Sequence, residues 1–133
     1  IVIDSRCPYC RETYANTRKR VANGASITWI PTLALGNAES GLPLAATMLE
    51  SKDPKALDRV FAEHKADPAI KGKPETVEEL RRSLAFLYAA FEENHTGKAG
   101  VPVAFFIDHR TGKPRMVPGV SDNLVLDDIF GAQ

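Results

Sequence analysis

The chain has 133 residues, with 17 Lys plus Arg against 17 Asp plus Glu and a formal net charge of zero at pH 7. At 44% hydrophobic and 26% charged residues it reads as one globular domain, residues 1–133, large enough to bury a core. The even charge leaves no footprint for nucleic acid or an anionic membrane surface, and no apolar run approaches the roughly 18 residues of a membrane span. The chain opens inside an apolar stretch with no initiator Met, so a processed or trimmed chain is expected.

In chain order, Ile1-Val2-Ile3 predicts a buried strand. Arg11 to Asn23 is helix-like, with cationic Arg18-Lys19-Arg20 in its closing turns and Gly24 as a stop. Ser26 to Leu35 is β-rich, and Pro31 inside it implies an edge position or a bulge. Asn37 to Gly41 reads as loop and Leu42 to Glu50 as a short helix. Asp53-Pro54 predicts an N-cap and first position for a helix ending near Lys65. Thr76-Val77-Glu78-Glu79 reads as a capping box opening the longest helix, with Val77, Leu80, Leu84, Leu87, Tyr88 and Phe91 as its apolar stripe, up to Gly97. Val103 to Ile107 is a continuous apolar run, expected to be a strand covered on both faces. Arg115-Met116-Val117 predicts a short strand, and Ser121 caps a last helix carrying Leu124, Val125, Leu126, Ile129 and Phe130.

The two cysteines of the chain are Cys7 and Cys10, in Cys7-Pro8-Tyr9-Cys10. They fall where the first strand hands over to the first helix, which is where a thioredoxin-like redox motif sits. Thiol–disulfide exchange needs a thiolate to attack a disulfide sulfur and a second thiol to resolve the mixed disulfide. A helix N-terminus favours a thiolate through its unpaired N–H groups. Cys7, at or just before the first turn, is therefore the expected nucleophile, and Cys10, one turn in, the buried resolver. Pro8 suits a first turn, where its missing N–H costs nothing. Arg6 and Arg11 add nearby positive charge, expected to be solvated. The expected fold class is α/β, a thioredoxin-like fold with a central mixed sheet flanked by helices. An all-helical insert at about 42–97 separates its βαβ and ββα halves.

The segment Asp4-Ser5-Arg6-Cys7-Pro8-Tyr9-Cys10 resembles the active-site turn of the periplasmic Dsb disulfide isomerases, the DsbC/DsbG-like branch of the thioredoxin superfamily, which places an Asp three residues before the first cysteine. Ile27 to Leu35 resembles that branch's second strand, Leu44 to Phe61 its helical insert, Gly100-Val101-Pro102 its cis-proline loop, and Val117-Pro118-Gly119-Val120 the turn before its last helix. The likeness covers nearly the whole chain.

The resemblance implies a periplasmic disulfide isomerase or reductase that exchanges disulfides with protein substrates, serviced by a redox partner protein. It assigns Cys7 and Cys10 to catalysis, Asp4, Pro8 and Tyr9 to tuning of the active-site turn, and Val101 and Pro102 to substrate binding beside the sulfurs. A cis bond before Pro102 would expose the backbone groups of Val101 to an extended substrate segment. No cofactor, metal or membrane insertion is implied. The branch's dimerisation domain, linker and first strand are absent here, which leaves a homodimer through a missing region and a monomer both open. Val101 stands where the isomerases carry Thr and the DsbA-type oxidases carry Val, so isomerase, reductase and oxidase also stay open.

Two other functions compete: a glutaredoxin-like cytosolic reductase, which shares Cys-Pro-Tyr-Cys, and a chaperone-like binding module with an incidental cysteine pair. A structural disulfide would constrain little of the unfolded chain across so short a loop. A zinc site lacks its other half, because His64, His95 and His109 fall on a helix, a helix end and a turn. The histidines and the run Arg18-Lys19-Arg20 are expected at the surface, and Trp29 in the core.

Overall fold

Val2 and Ile3 have no exposed surface, and they form a strand of only two residues, β1 (Val2–Ile3). In the computed structural model, which describes residues 1–131, that brevity limits the pairing of the whole sheet. Helix α1 (Pro8–Ala22) comes next, then β2 (Ile30–Pro31), and then helices α2 (Ala38–Glu50), α3 (Ala56–Glu63) and α4 (Pro74–Glu93). Strands β3 (Val103–Asp108) and β4 (Lys113–Pro118) and helix α5 (Asn123–Phe130) complete the order. The described residues make an α/β fold with one four-stranded mixed sheet, in the order β2-β1-β3-β4. Strand β1 is parallel to β2 (Val2↔Ile30, Ile3↔Pro31) and antiparallel to β3 (Val2↔Val103), and β3 is antiparallel to β4 over six pairs.

Strand alternation sorts the core into two layers. Val2, Ile30, Val103 and Phe105 face α4, where they meet Leu84, Leu87 and Phe91. Ile1, Ile3, Ala104 and Phe106 face the other way, against Cys7, Cys10, Tyr14 and Phe61 at one end and Val120, Leu126 and Ile129 at the other. On α4 the apolar stripe buries Leu80, Leu87 and Phe91 and partly buries Leu84, while Val77 and Tyr88 are exposed. No helix among the described residues is long and apolar enough to cross a membrane.

Several elements depart from the sequence expectations, each for a local reason. The β-rich stretch 26–35 yields only Ile30–Pro31 as strand, because β1 offers just two residues to pair with. Pro31 does fall on an edge strand, where its missing N–H is harmless. Strand β3 is not covered on both faces: beyond β1 it runs on with β4 as a two-stranded ribbon, and Ile107 is 63% exposed. Residues 38–41 are helix, not loop. Asn37 takes the left-handed φ of 47° and caps α2 by accepting from the Ser40 N–H at 3.4 Å, so α2 starts at Ala38 and carries Pro43 inside it.

Asp53 accepts from the Lys55 N–H at 2.9 Å in a turn ahead of α3, so it is not that helix's N-cap, and Lys55 is. The capping box at Thr76 does not form. Pro74 occupies the first position of α4, and Glu50 of α2 accepts from the Lys73 N–H (3.0 Å) and the Thr76 hydroxyl (2.7 Å). Helix α5 is capped by Asp122 instead of Ser121, its carboxylate accepting from Leu124 N–H at 2.7 Å.

Of the basic run, Lys19 is exposed as expected, but Arg18 and Arg20 are not solvated. Arg20 is buried, pairs with Asp127 and donates to Asn16 O (2.7 Å) and Asn123 Oδ1 (3.2 Å), while Arg18 lies 3.7 Å over the Tyr14 ring. Trp29 is partly buried against the Cys7/Cys10/Tyr14 cluster, and His64, His95 and His109 are exposed.

At the end of the β3–β4 ribbon, the buried Asp108 carboxylate takes Arg110 Nε (3.2 Å), Arg110 Nη2 (3.1 Å), Arg115 Nη1 (3.1 Å) and the Arg110 N–H (2.9 Å). The Arg110 guanidinium, with its N–H and Arg115 in support, holds this carboxyl well below the usual carboxylate range. A folded-state value below the ordinary 3.8 means the stabilisation is full above that pH and is lost as pH falls through the folded value. Asp108→Asn is therefore expected to lower Tm at pH 7, with the gap to wild type closing as pH is taken below about 4. Melting both proteins from pH 7 to pH 2 checks this; a gap that stays constant across the range contradicts it.

Candidate active site

The site begins where β1 ends. Asp4, next after the strand, is buried; its carbonyl accepts from the Cys7 N–H at 2.9 Å and closes a turn over residues 4–7. Its carboxylate takes the Arg6 N–H (3.1 Å), Arg6 Nε (3.0 Å), Arg6 Nη2 (2.7 Å) and the Leu35 N–H (3.1 Å). The turn delivers Cys7 as the N-cap of α1, in extended backbone (φ −75°, ψ 125°), with Pro8 at the first helical position. Cys10 is then the third residue of the helix, and Arg11 N–H closes the first turn on Cys7 O at 3.1 Å.

Both cysteines carry free thiols, and their accessibility differs: Cys7 is 6% exposed and Cys10 not at all. Burial pushes the Cys10 thiol well above its ordinary range; the Asp4 main chain opposes this with a hydrogen bond, and the adjoining Cys7 thiol adds to it. Beneath the pair lies an aromatic floor. Tyr14 stacks on Phe61 with ring centroids 4.3 Å apart, and Trp29 meets Tyr14 at 5.4 Å and Phe61 at 5.3 Å. The Tyr14 hydroxyl donates to Asp58, and burial together with that bond raises its pKa to about 12.

From the far end of the sequence, the loop before β3 returns to the sulfurs. The Val101–Pro102 peptide bond is cis, and the Cys7 thiol lies 3.9 Å from the Val101 carbonyl oxygen, which it faces as donor. Pro102 O accepts from Gly119 N–H at 2.9 Å, which fastens this loop to the turn before α5. The structure therefore brings Asp4, Cys7, Cys10, Val101 and Pro102 together. Pro8 and Tyr9 stand on the outer rim, Tyr9 at 63% exposed.

Two charges differ from expectation. Arg6 is not solvated: beyond Asp4, its Nη1 donates to Asn37 O (3.0 Å) and Ser40 Oγ (2.9 Å) at the start of α2. Arg11 is directed at the Phe61 carbonyl, with Nε–O 3.2 Å. Arg6, Leu35, Ser40 and Phe61 thus belong to the site's support, and nothing in their sequence spacing announces it. Among the described residues, no three His, Cys, Asp or Glu side chains converge as a metal ion would require. No family model matches the chain, and no curated protein matches it.

The unequal burial of the thiols gives a direct test. In the reduced folded protein, iodoacetamide at pH 8 is expected to modify Cys7 alone, with Cys10 reacting at least tenfold more slowly on the scale that one unit of pKa represents. Both should react together in denaturant. Mass mapping reads the result, and equal labelling in the folded state would contradict the placement of Cys10.

Proposed function

We propose that the chain is a thiol–disulfide oxidoreductase of disulfide isomerase or reductase type, acting on cysteines of protein substrates. The observation that carries this reading is the meeting at one point of the α1 N-cap cysteine, the buried cysteine one turn on, and the Val101 carbonyl 94 residues away in sequence. Structural disulfides and incidental thiols do not need a second chain segment held against one sulfur.

The four-stranded sheet, in this reading, is a thioredoxin-like core interrupted by an all-helical insert between β2 and β3, spanning about 42–97, all within a single catalytic domain. Membership of the Dsb isomerase branch, a periplasmic setting, a redox partner protein and a homodimer through a region outside this chain rest on the sequence resemblance.

The reaction runs in two balanced steps. The Cys7 thiolate attacks one sulfur of a substrate disulfide; an S–S bond forms to Cys7, the substrate S–S bond breaks, and the other substrate sulfur leaves as a thiolate that takes up a proton. Cys10 then loses its proton and attacks Cys7 Sγ, releasing the second substrate thiol and closing Cys7–Cys10. Two electrons have passed from the cysteine pair to the substrate. If a different cysteine thiolate of the same substrate instead attacks the substrate sulfur held by Cys7, a new substrate S–S bond forms, Cys7 leaves as a thiolate and the outcome is isomerisation. Val101 presents its carbonyl beside the attacking sulfur, where an extended substrate segment can pair with main chain.

Cys7→Ser is expected to abolish exchange with a scrambled-disulfide protein substrate. Cys10→Ser should accumulate mixed disulfides visible on non-reducing gels. Exchange that persists in the Cys7 variant would sink the reading. The wild-type reduction potential, titrated against glutathione, is expected on the order of −120 to −180 mV. A value below about −300 mV would mark a structural bond instead.

A further inference from the structure

The Asp4–Arg6 pair is more elaborate than a turn requires. Closing residues 4–7 needs only the Cys7 N–H on Asp4 O. Here the residue immediately before Cys7 also commits its main-chain N–H and two guanidinium nitrogens to Asp4, and the remaining nitrogen to α2. The carboxylate is buried beside the thiol pair, and its main chain and its charge both act on the Cys10 thiol.

The receiving surface on α2 is fitted to the guanidinium. A Cβ on Gly41 would lie 2.7 Å from Arg6 Cζ and 2.7 Å from Leu33 Cδ2, so the glycine provides the space the planar group occupies. Ser40, the residue before it, supplies the hydroxyl acceptor. Arg6 thus reads as a bracket with one arm on the cysteine turn and the other on the first turn of α2.

We propose that Arg6 is a positioning residue for the thiol pair: it neutralises Asp4 and ties the Cys7 turn to α2, so that the seating of α2 sets how readily the pair reacts. Without the guanidinium, an uncompensated carboxylate stands beside two sulfurs, one of which must become a thiolate, and like charges disfavour that. Lys cannot replace it, since an ammonium has no planar fork to hold both carboxylate oxygens and reach Ser40. The inference rests on the redox reading for its consequence, but it is measured on the cysteines themselves.

Four variants test it: Arg6→Met, Asp4→Asn, the Asp4→Asn/Arg6→Met double variant, and Ser40→Ala. The readouts are the glutathione equilibrium of Cys7–Cys10 and the rate at which iodoacetamide modifies Cys7. Arg6→Met should favour the disulfide by about tenfold, a potential about 30 mV more negative, and slow alkylation by a similar factor. The double variant should return both readouts to within about threefold of wild type, because removing the carboxylate removes the need for its partner. Ser40→Ala, which touches neither cysteine, should shift both in the same direction by about two- to threefold.

A merely structural role for Arg6 predicts the opposite ranking, with the double variant no better than Arg6→Met; that ranking, or an unchanged equilibrium in a natively folded Arg6→Met protein, overturns the proposal. Should Arg6→Met not fold, Ser40→Ala and Gly41→Ala decide it, and wild-type readouts in both overturn it. A wild-type protein inactive on protein disulfides would refute the proposed function while leaving these glutathione and alkylation readouts intact, so the two failures are distinguishable.

Discussion

A buried carboxylate must find a hydrogen bond for nearly every lone pair or give up its charge. Asp4 meets that demand with Arg6 and two main-chain N–H groups, and in doing so it determines the path of the chain. The Arg6 and Cys7 amides both point back at residue 4, which forces the sharp exit from β1 and puts Cys7 at the head of α1. The Leu35 amide, from the segment after β2, joins the same carboxylate, so the exits of two adjacent strands are stapled at one point. Removing one partner of a buried pair of this kind typically costs about 3–5 kcal/mol. The exposed pairs Arg59–Asp53, between α3 and the turn ahead of it, and Arg81–Glu78, within α4, sit in water and act only locally.

The early exit also explains the lopsided sheet. Because β1 ends after Ile3, β2 can pair for two residues, and β3 meets β1 at one position before continuing with β4 alone. The core is accordingly thick near the cysteines and thin at the β3–β4 hairpin, where Ile107 is left outside. Polar bonds take over at that pole: Asp108 gathers Arg110 and Arg115, and Arg20 reaches from the end of α1 to Asp127 of α5. The end rich in apolar contact is the end that carries the thiols.

Much of this is legible from residue order. Apolar runs and the Gly and Pro breaks between them give the succession of strands and helices, and Cys7-Pro8-Tyr9-Cys10 locates the helix start. What the sequence hides is polar burial. Thr13 and Thr17 lie on the buried face of α1, their hydroxyls satisfied by carbonyls of Tyr9, Val120, Thr13 and Tyr14, so a pattern that counts only apolar residues misplaces the helix face. Arg6, Arg11 and Arg20 read as surface charge because their partners are backbone carbonyls or side chains from 31 to 107 residues away as well as near neighbours. The capping errors share a cause. Thr76 and Ser121 match the preferred residue types, but Pro74 and Asp122 claim the helix starts first, and Glu50 reaches across from α2 to serve α4.

The burial gradient across the two thiols bears on the order of the proposed steps. Burial is the largest influence keeping the Cys10 proton in place, and the neighbouring Cys7 adds to it both by charge and by hydrogen bond. Once Cys7 is joined to a substrate sulfur it has neither charge nor S–H, so those two contributions vanish. The hydrogen bond from the Asp4 main chain, which favours the Cys10 thiolate, remains. In the proposed reaction, two of the influences that oppose the Cys10 thiolate are thus removed once Cys7 has captured a disulfide. Arg6 matters to both stages, because it keeps the charge of Asp4 occupied elsewhere while the Asp4 backbone does its part.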